Sequence, residues 1–138
     1  MNPGLTYREA AVAGASPVRL VVLLYEQVIE DLRRALAAQK NDAIETRTRE
    51  INHAILVIGH LEATLNKEQG GRVAEILQHF YRQLRASLTE AQARQSALLL
   101  EKQISLLMQV RDGWLEVERQ VRPAAEPAGA QSSADWSA

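Results

Sequence analysis

The chain has 138 residues, enough for one domain that buries roughly two thirds of its unfolded surface. Sixteen basic side chains stand against 17 acidic ones, so the net charge of −1 offers no cationic excess to displace counterions from nucleic acid. Cysteine is absent, which excludes disulfides and thiolate metal sites, and the longest apolar run, Leu20 to Leu24, falls far short of the roughly 20 residues of a membrane span.

The chain starts Met-Asn-Pro-Gly-Leu-Thr-Tyr-Arg-Glu, without the basic start and apolar stretch of a signal peptide, so a cytoplasmic location is expected. Residues 1–16 read as a cap segment in which Leu5 to Ala13 can form a short apolar turn or helix carrying Tyr7. Ser16 has the hydroxyl of an N-cap and Pro17 suits the first helical position, so helix one is predicted from Pro17 to about Gln39. Steps of three and four place Val21, Leu24, Tyr25, Val28, Leu32, Ala35 and Leu36 on its buried stripe.

Asp42 with Glu45 three residues on resembles a capping box and predicts the start of helix two, which runs to about Asn66. Its inward face is Ile44, Ile51, Ala54, Ile55, Ile58, Leu61 and Leu65. After Gly70 and Gly71, helix three is predicted from Arg72 to Ala93, burying Val73, Ile76, Leu77, Phe80, Leu84, Leu88 and Ala91. Ser96 is the next cap, and helix four carries Leu100, Ile104, Leu107, Val110, Trp114, Val117 and Val121. Gly113 interrupts that helix at a cost of about 1 kcal/mol relative to alanine, which calls for close packing or local looseness. Pro123 is expected to end it, and residues 123–138 have the composition of a disordered tail, with Trp136 unexplained. Short links between four long helices predict an all-α fold, an antiparallel up-down-up-down bundle over residues 17–122.

Chemistry is hard to place on this pattern. Glu50-Ile51-Asn52-His53 has the Glu-x-x-His spacing of carboxylate-bridged metal bundles. With Ile51 at zero and about 100° per residue, however, His53 falls about 200° round, on an outer face shared with His60. Glu75 points away likewise, His79 lies at a flank, and a second such motif is absent. Without a nucleophile beside a base or a phosphate loop, the expectation is a protein that is not an enzyme and needs no cofactor.

More apolar residues are present than four stripes require. Leu20, Val22 and Leu23 on helix one, Leu56 and Val57 on helix two, and Leu98 and Leu106 on helix four lie beside or opposite the stripes. Scattered exposed leucines are ordinary, but the surplus also suits a groove that receives a partner helix, with Tyr7 as a removable lid. Leu56, Val57, Tyr81 and Leu106 are the candidate contacts on projected direction.

Several motifs, in order, resemble the FliS family of flagellin-specific export chaperones. They are Tyr7, Gly14-Ala15-Ser16-Pro17, Leu24-Tyr25-Glu26, Ala54 with Ile58 and Leu61, and Leu65-Asn66-Lys67-Glu68-Gln69-Gly70-Gly71. Phe80-Tyr81, Leu88-Thr89-Glu90-Ala91 and Arg111-Asp112-Gly113-Trp114 complete the set, which spans about residues 7–119. Departures include Gly14 for threonine, Glu26-Gln27 for Asp-Gly, and Ile55 and Leu56 at positions that are often polar. The resemblance implies a cytoplasmic bundle that binds the disordered C-terminal segment of flagellin, prevents its premature polymerisation and delivers it to the flagellar export apparatus. Components of the export gate would be further partners. The competing readings are a metal-carboxylate bundle held by Glu50 and His53 and a bundle that self-associates through Leu23, Leu56 and Leu98.

Overall fold

The computed structural model describes residues 16–125, with side chains through residue 121. Four helices follow one another: α1, Pro17–Lys40; α2, Ile44–Ala63; α3, Lys67–Arg94; and α4, Ala97–Ala125. Each packs against its neighbours in sequence, and α4 closes the ring against α1. The short links make successive helices antiparallel, as the cross-helix pairs confirm: Arg19 near the start of α1 meets Glu118 near the end of α4 at 3.3 Å. The predicted up-down-up-down bundle is therefore the observed fold.

The helix ends follow local chemistry. Ser16 Oγ accepts from the Arg19 amide and Asn66 Oδ1 from that of Gln69, while the Leu99 amide donates to Ser96 Oγ. Asp42 corrects the capping box. It takes a left-handed conformation (φ 56°) that ends α1, with its amide donating to the Gln39 carbonyl and that of Ala43 to the Ala38 carbonyl. Helix α2 then begins at Ile44 with Ala43 as its cap residue and no side-chain cap bond. The same C-terminal wrap recurs at Gln95 (φ 52°), whose carbonyl accepts from Gln39 Nε2 at 2.7 Å.

Helix α2 ends at Ala63, and α3 starts five residues earlier than predicted. A turn from Lys67 is followed by a break at Gly71 (φ 53°, ψ −125°), a conformation that glycine adopts cheaply. Gly70 is also needed there, because a Cβ on it would lie 2.8 Å from that of Ala74. Helix α4 runs two residues past Pro123, so the proline sits within the last turn rather than ending the helix.

At Gly113 a Cβ would meet nothing within 4 Å, so close packing is not the reason for the glycine. Gly113→Ala is expected to raise the unfolding free energy by about 0.5–1 kcal/mol, read as a higher urea midpoint at unchanged slope. An unchanged or lower midpoint would show that the site needs glycine for another reason.

The core is aliphatic around two tyrosines. Leu24, Val28, Leu32, Ile51, Ile58, Leu61, Leu84, Leu88, Leu100 and Leu107 fill it. Helix α1 packs against both α2 and α4 and buries the broadest face, including Val22, while Leu20 and Leu23 are half-buried. Much of the surplus in that run is thus interior. Ile44, Val73, Ile76, Val117 and Val121, expected inside, are instead exposed. Ile44 is the first residue of its helix, and buried Arg47 follows it one turn before Ile51. The other four line one opening in the bundle.

Candidate functional site

That opening lies between α3 and α4, the most sparsely packed neighbouring pair. On α3 the side chains directed at the core are Ala74, Tyr81, Leu84 and Leu88. Gln78 and Arg85 reach Glu62 of α2, and Gln92 donates to Thr48 of α2 at 2.6 Å, which identifies the flank facing α2. At about 100° per residue Val73, Ile76, Leu77 and Phe80 fall on the opposite flank, toward α4. On α4, Glu118 and Met108 mark the side turned to α1 through Arg19 and Arg33. Leu106, Val110, Val117 and Val121 occupy the side toward α3.

The exposed aliphatic side chains on these flanks cluster near the start of α3 and the end of α4. Val73 is 62%, Ile76 57%, Val117 40% and Val121 48% exposed, whereas Leu77, Phe80, Val110 and Trp114 pack partly onto the core beneath. The result is an apolar groove with a half-buried floor and open walls. Such a surface suits the i, i+3, i+4 anchors of an amphipathic helix.

Besides buried Arg47 and Gln103, two hydrogen-bonded polar groups lie inside the bundle among the described residues. The Tyr25 and Tyr81 hydroxyls hydrogen-bond at 3.0 Å, with their rings edge to face at 6.2 Å, joining α1 and α3 across the centre. Burial pushes the Tyr25 hydroxyl up, against opposing hydrogen bonds from Tyr81 and Trp114. Burial also raises Tyr81, with the neighbouring Tyr25 adding to the effect. Both hydroxyls therefore stay neutral.

The second group sits at the contact of α1 and α2. Fully buried Asp31 accepts from Gln27 Nε2 at 2.8 Å and from Arg34 at 2.7 Å, and its other oxygen lies 2.5 Å from His53 Nδ1. Glu50 accepts from Arg34 Nε at 3.2 Å. This corrects the outward placement of His53. Buried residues on α2 centre about 60° round from Ile51, near Ala54 and Ile58, so His53 falls on the flank against α1. Glu50 and His53 are each engaged by α1 rather than sharing a centre, and no group of three metal-ligating side chains occurs among the described residues.

The nominated contacts divide. Tyr7 lies outside the described residues. Leu56 is exposed on the outer face of α2, and half-buried Leu106 lies on the groove side of α4. Val57 and Tyr81 are buried in the core and present no surface in this structure. For Val57 the reason is the same 60° rotation; Tyr81 is directed inward because the stripe on α3 centres near Ala74 and Tyr81 rather than on Val73.

Residues 1–121 match the family model described as flagellar protein FliS. The chain belongs to the FliS family. It is 36% identical over 106 residues to flagellar secretion chaperone FliSB of Pseudomonas aeruginosa, covering 77% of this chain and 84% of that one. Flagellar secretion chaperone FliS of Campylobacter jejuni is 31% identical over 106 residues, covering 77% and 80%. The Salmonella typhimurium protein of that name is 29% identical over 110 residues, covering 79% and 82%. These relatives are chaperones by name, and FliS is not an enzyme family. In this FliS chain the landmarks Tyr25 and Tyr81 meet inside the bundle and carry the fold, while half-buried Trp114 packs against the core from the groove floor. No helix among the described residues is long and apolar enough to cross a membrane.

Proposed function

We propose that this protein is a cytoplasmic secretion chaperone whose α3–α4 groove receives an amphipathic helix from the C-terminal segment of flagellin. Holding that segment prevents premature polymerisation, and the complex is the form delivered to the flagellar export apparatus and its gate components. The observation that carries the reading is the opening itself: four large aliphatic side chains stay exposed on facing flanks of a chain of this family.

A disordered client loses conformational entropy when it folds onto the bundle, so tight binding requires several apolar patches. The groove supplies Val73, Ile76, Leu106, Val117 and Val121, and Leu56 on α2 supplies a separate contact. The segment around Tyr7 serves as a lid over half-buried Leu20 and Leu23 of α1, apart from the groove, until the client displaces it. Deleting residues 1–10 then strengthens client binding.

Co-purification with full-length flagellin and with flagellin lacking its C-terminal segment tests the mode. Full-length flagellin is expected to remain bound and the truncated form to be lost. Binding indifferent to the truncation overturns the assignment of the segment. A stable oligomer that ignores the segment altogether would instead favour self-association through Leu23, Leu56 and Leu98.

A further inference from the structure

The groove opens at the end of the molecule where the described chain stops. Helix α4 carries Val117 and Val121 on the wall facing α3 and reaches Ala125 about 12 Å beyond Val117, at 1.5 Å per residue. The described chain therefore ends beside the open apolar walls, and residues 126–138 follow it in sequence. This stretch is built from small and polar residues and proline, with two acids, Glu126 and Asp135, and one large side chain, Trp136.

Trp136 is eleven positions beyond Ala125. A linker of that length spans an r.m.s. distance of about 18 Å, enough to reach back from Ala125 past the level of Val117, about 12 Å away along α4. A tether matched to its span gives the largest effective concentration at the site, commonly millimolar. Charge agrees with reach. Arg72 is exposed next to Val73 and makes no ion pair among the described residues, and Asp135 directly precedes Trp136. An indole offers the amphipathic bulk that a half-buried apolar groove with a charged rim accommodates.

We propose that Trp136 docks within its own chain in the α3–α4 groove, against Val73, Ile76, Val117 and Val121, with Asp135 paired to Arg72. The tail then competes with an incoming client helix. The competition rests on the groove being the client site; the docking does not.

The absence of cysteine makes a nitroxide on Ser137→Cys unique in the chain. In the full-length protein that label is expected to broaden the backbone amide resonances of Val73, Ile76 and Val117, independently of dilution. Trp136→Ala, outside the bundle, and Ile76→Asp, on its surface, should each remove the broadening. Trp136→Ala should also tighten binding of a flagellin C-terminal peptide about threefold to tenfold, the factor expected if the tail fills the groove about 70–90% of the time.

Broadening that disappears on dilution, or that falls at the Ile44 and Leu98 end, overturns the docking. So does broadening of the groove amides from a label on Asn2→Cys that survives Trp136→Ala, since it would give the groove to residues 1–15. Peptide that binds while leaving the tail in place overturns the competition. Peptide that binds neither protein while the broadening persists supports the docking and overturns the client reading alone.

Discussion

Asp31→Ala is expected to lower the unfolding free energy at neutral pH by about 3 kcal/mol, the range seen when one member of a buried charged pair is removed. The carboxylate is wholly buried and accepts from Gln27, Arg34 and His53. Removing it leaves the Gln27 amide and the His53 ring facing each other across a cavity, while Arg34 keeps Glu30 at 3.7 Å and Glu50 at 3.2 Å. The loss thus comes from the His53 ring losing its buried acceptor and from lost packing more than from a lost ion pair. Replacing Gln27, Asp31 and His53 together by leucine should therefore cost less than Asp31→Ala alone. A triple variant weaker than the single one would show that the network itself supplies net stability.

The same residue sets a pH dependence of unusual sign. Burial raises the Asp31 carboxyl above its ordinary value, against hydrogen bonds from His53 and Gln27 and the charges of His53 and Arg34. A folded value above the unfolded one, about 3.9, means that folding favours the protonated form. That contribution is complete below the unfolded value and is lost as pH rises through the folded one. The stability difference between wild type and Asp31→Ala should accordingly widen as pH falls from neutral toward about 4. Narrowing over that window would mean that the cationic neighbours outweigh burial and depress the carboxyl.

Helix number, order and most caps were legible because they depend on local chemistry. Ser16 with Pro17, Ser96, and the glycines near residue 70 act within a turn of where they stand. Which flank of a helix meets which neighbour is a property of the assembly. Taking Ile51 and Val73 as the centres of their stripes rotated both wheels, which turned His53 outward and drew Val73 and Ile76 inward. Periodicity marks a stripe without saying whether another helix covers it, so the groove walls looked like core. Asp42 carried the right residue type for a cap but served the helix before it. Asp31 had no signal at all, since an acid among Glu26, Glu30, Arg33 and Arg34 reads as solvated surface until α2 is laid against it.

The largest effect on client binding is expected from the paired substitution Val73→Asp with Ile76→Asp. Anchors at the centre of an interface commonly contribute 2 kcal/mol or more, so the pair should weaken binding of a flagellin C-terminal peptide at least about 30-fold. Both side chains are more than half exposed in the free protein, so the substitutions bury no new charge and should leave the unfolding midpoint nearly unchanged. Matched changes at the far end, Ile44→Asp with Leu98→Asp, control for a general loss of apolar surface, because those residues are as exposed but stand away from the groove. Binding should follow the first pair and ignore the second. Equal losses from both would mean that the client wraps the whole bundle with no privileged groove. Loss from the far pair alone would move the site to the end formed by the start of α2 and the start of α4. Val117→Asp then distinguishes a true groove from a contact confined to α3: its side chain lies across the opening on α4, so only a helix held between both walls would be weakened by it.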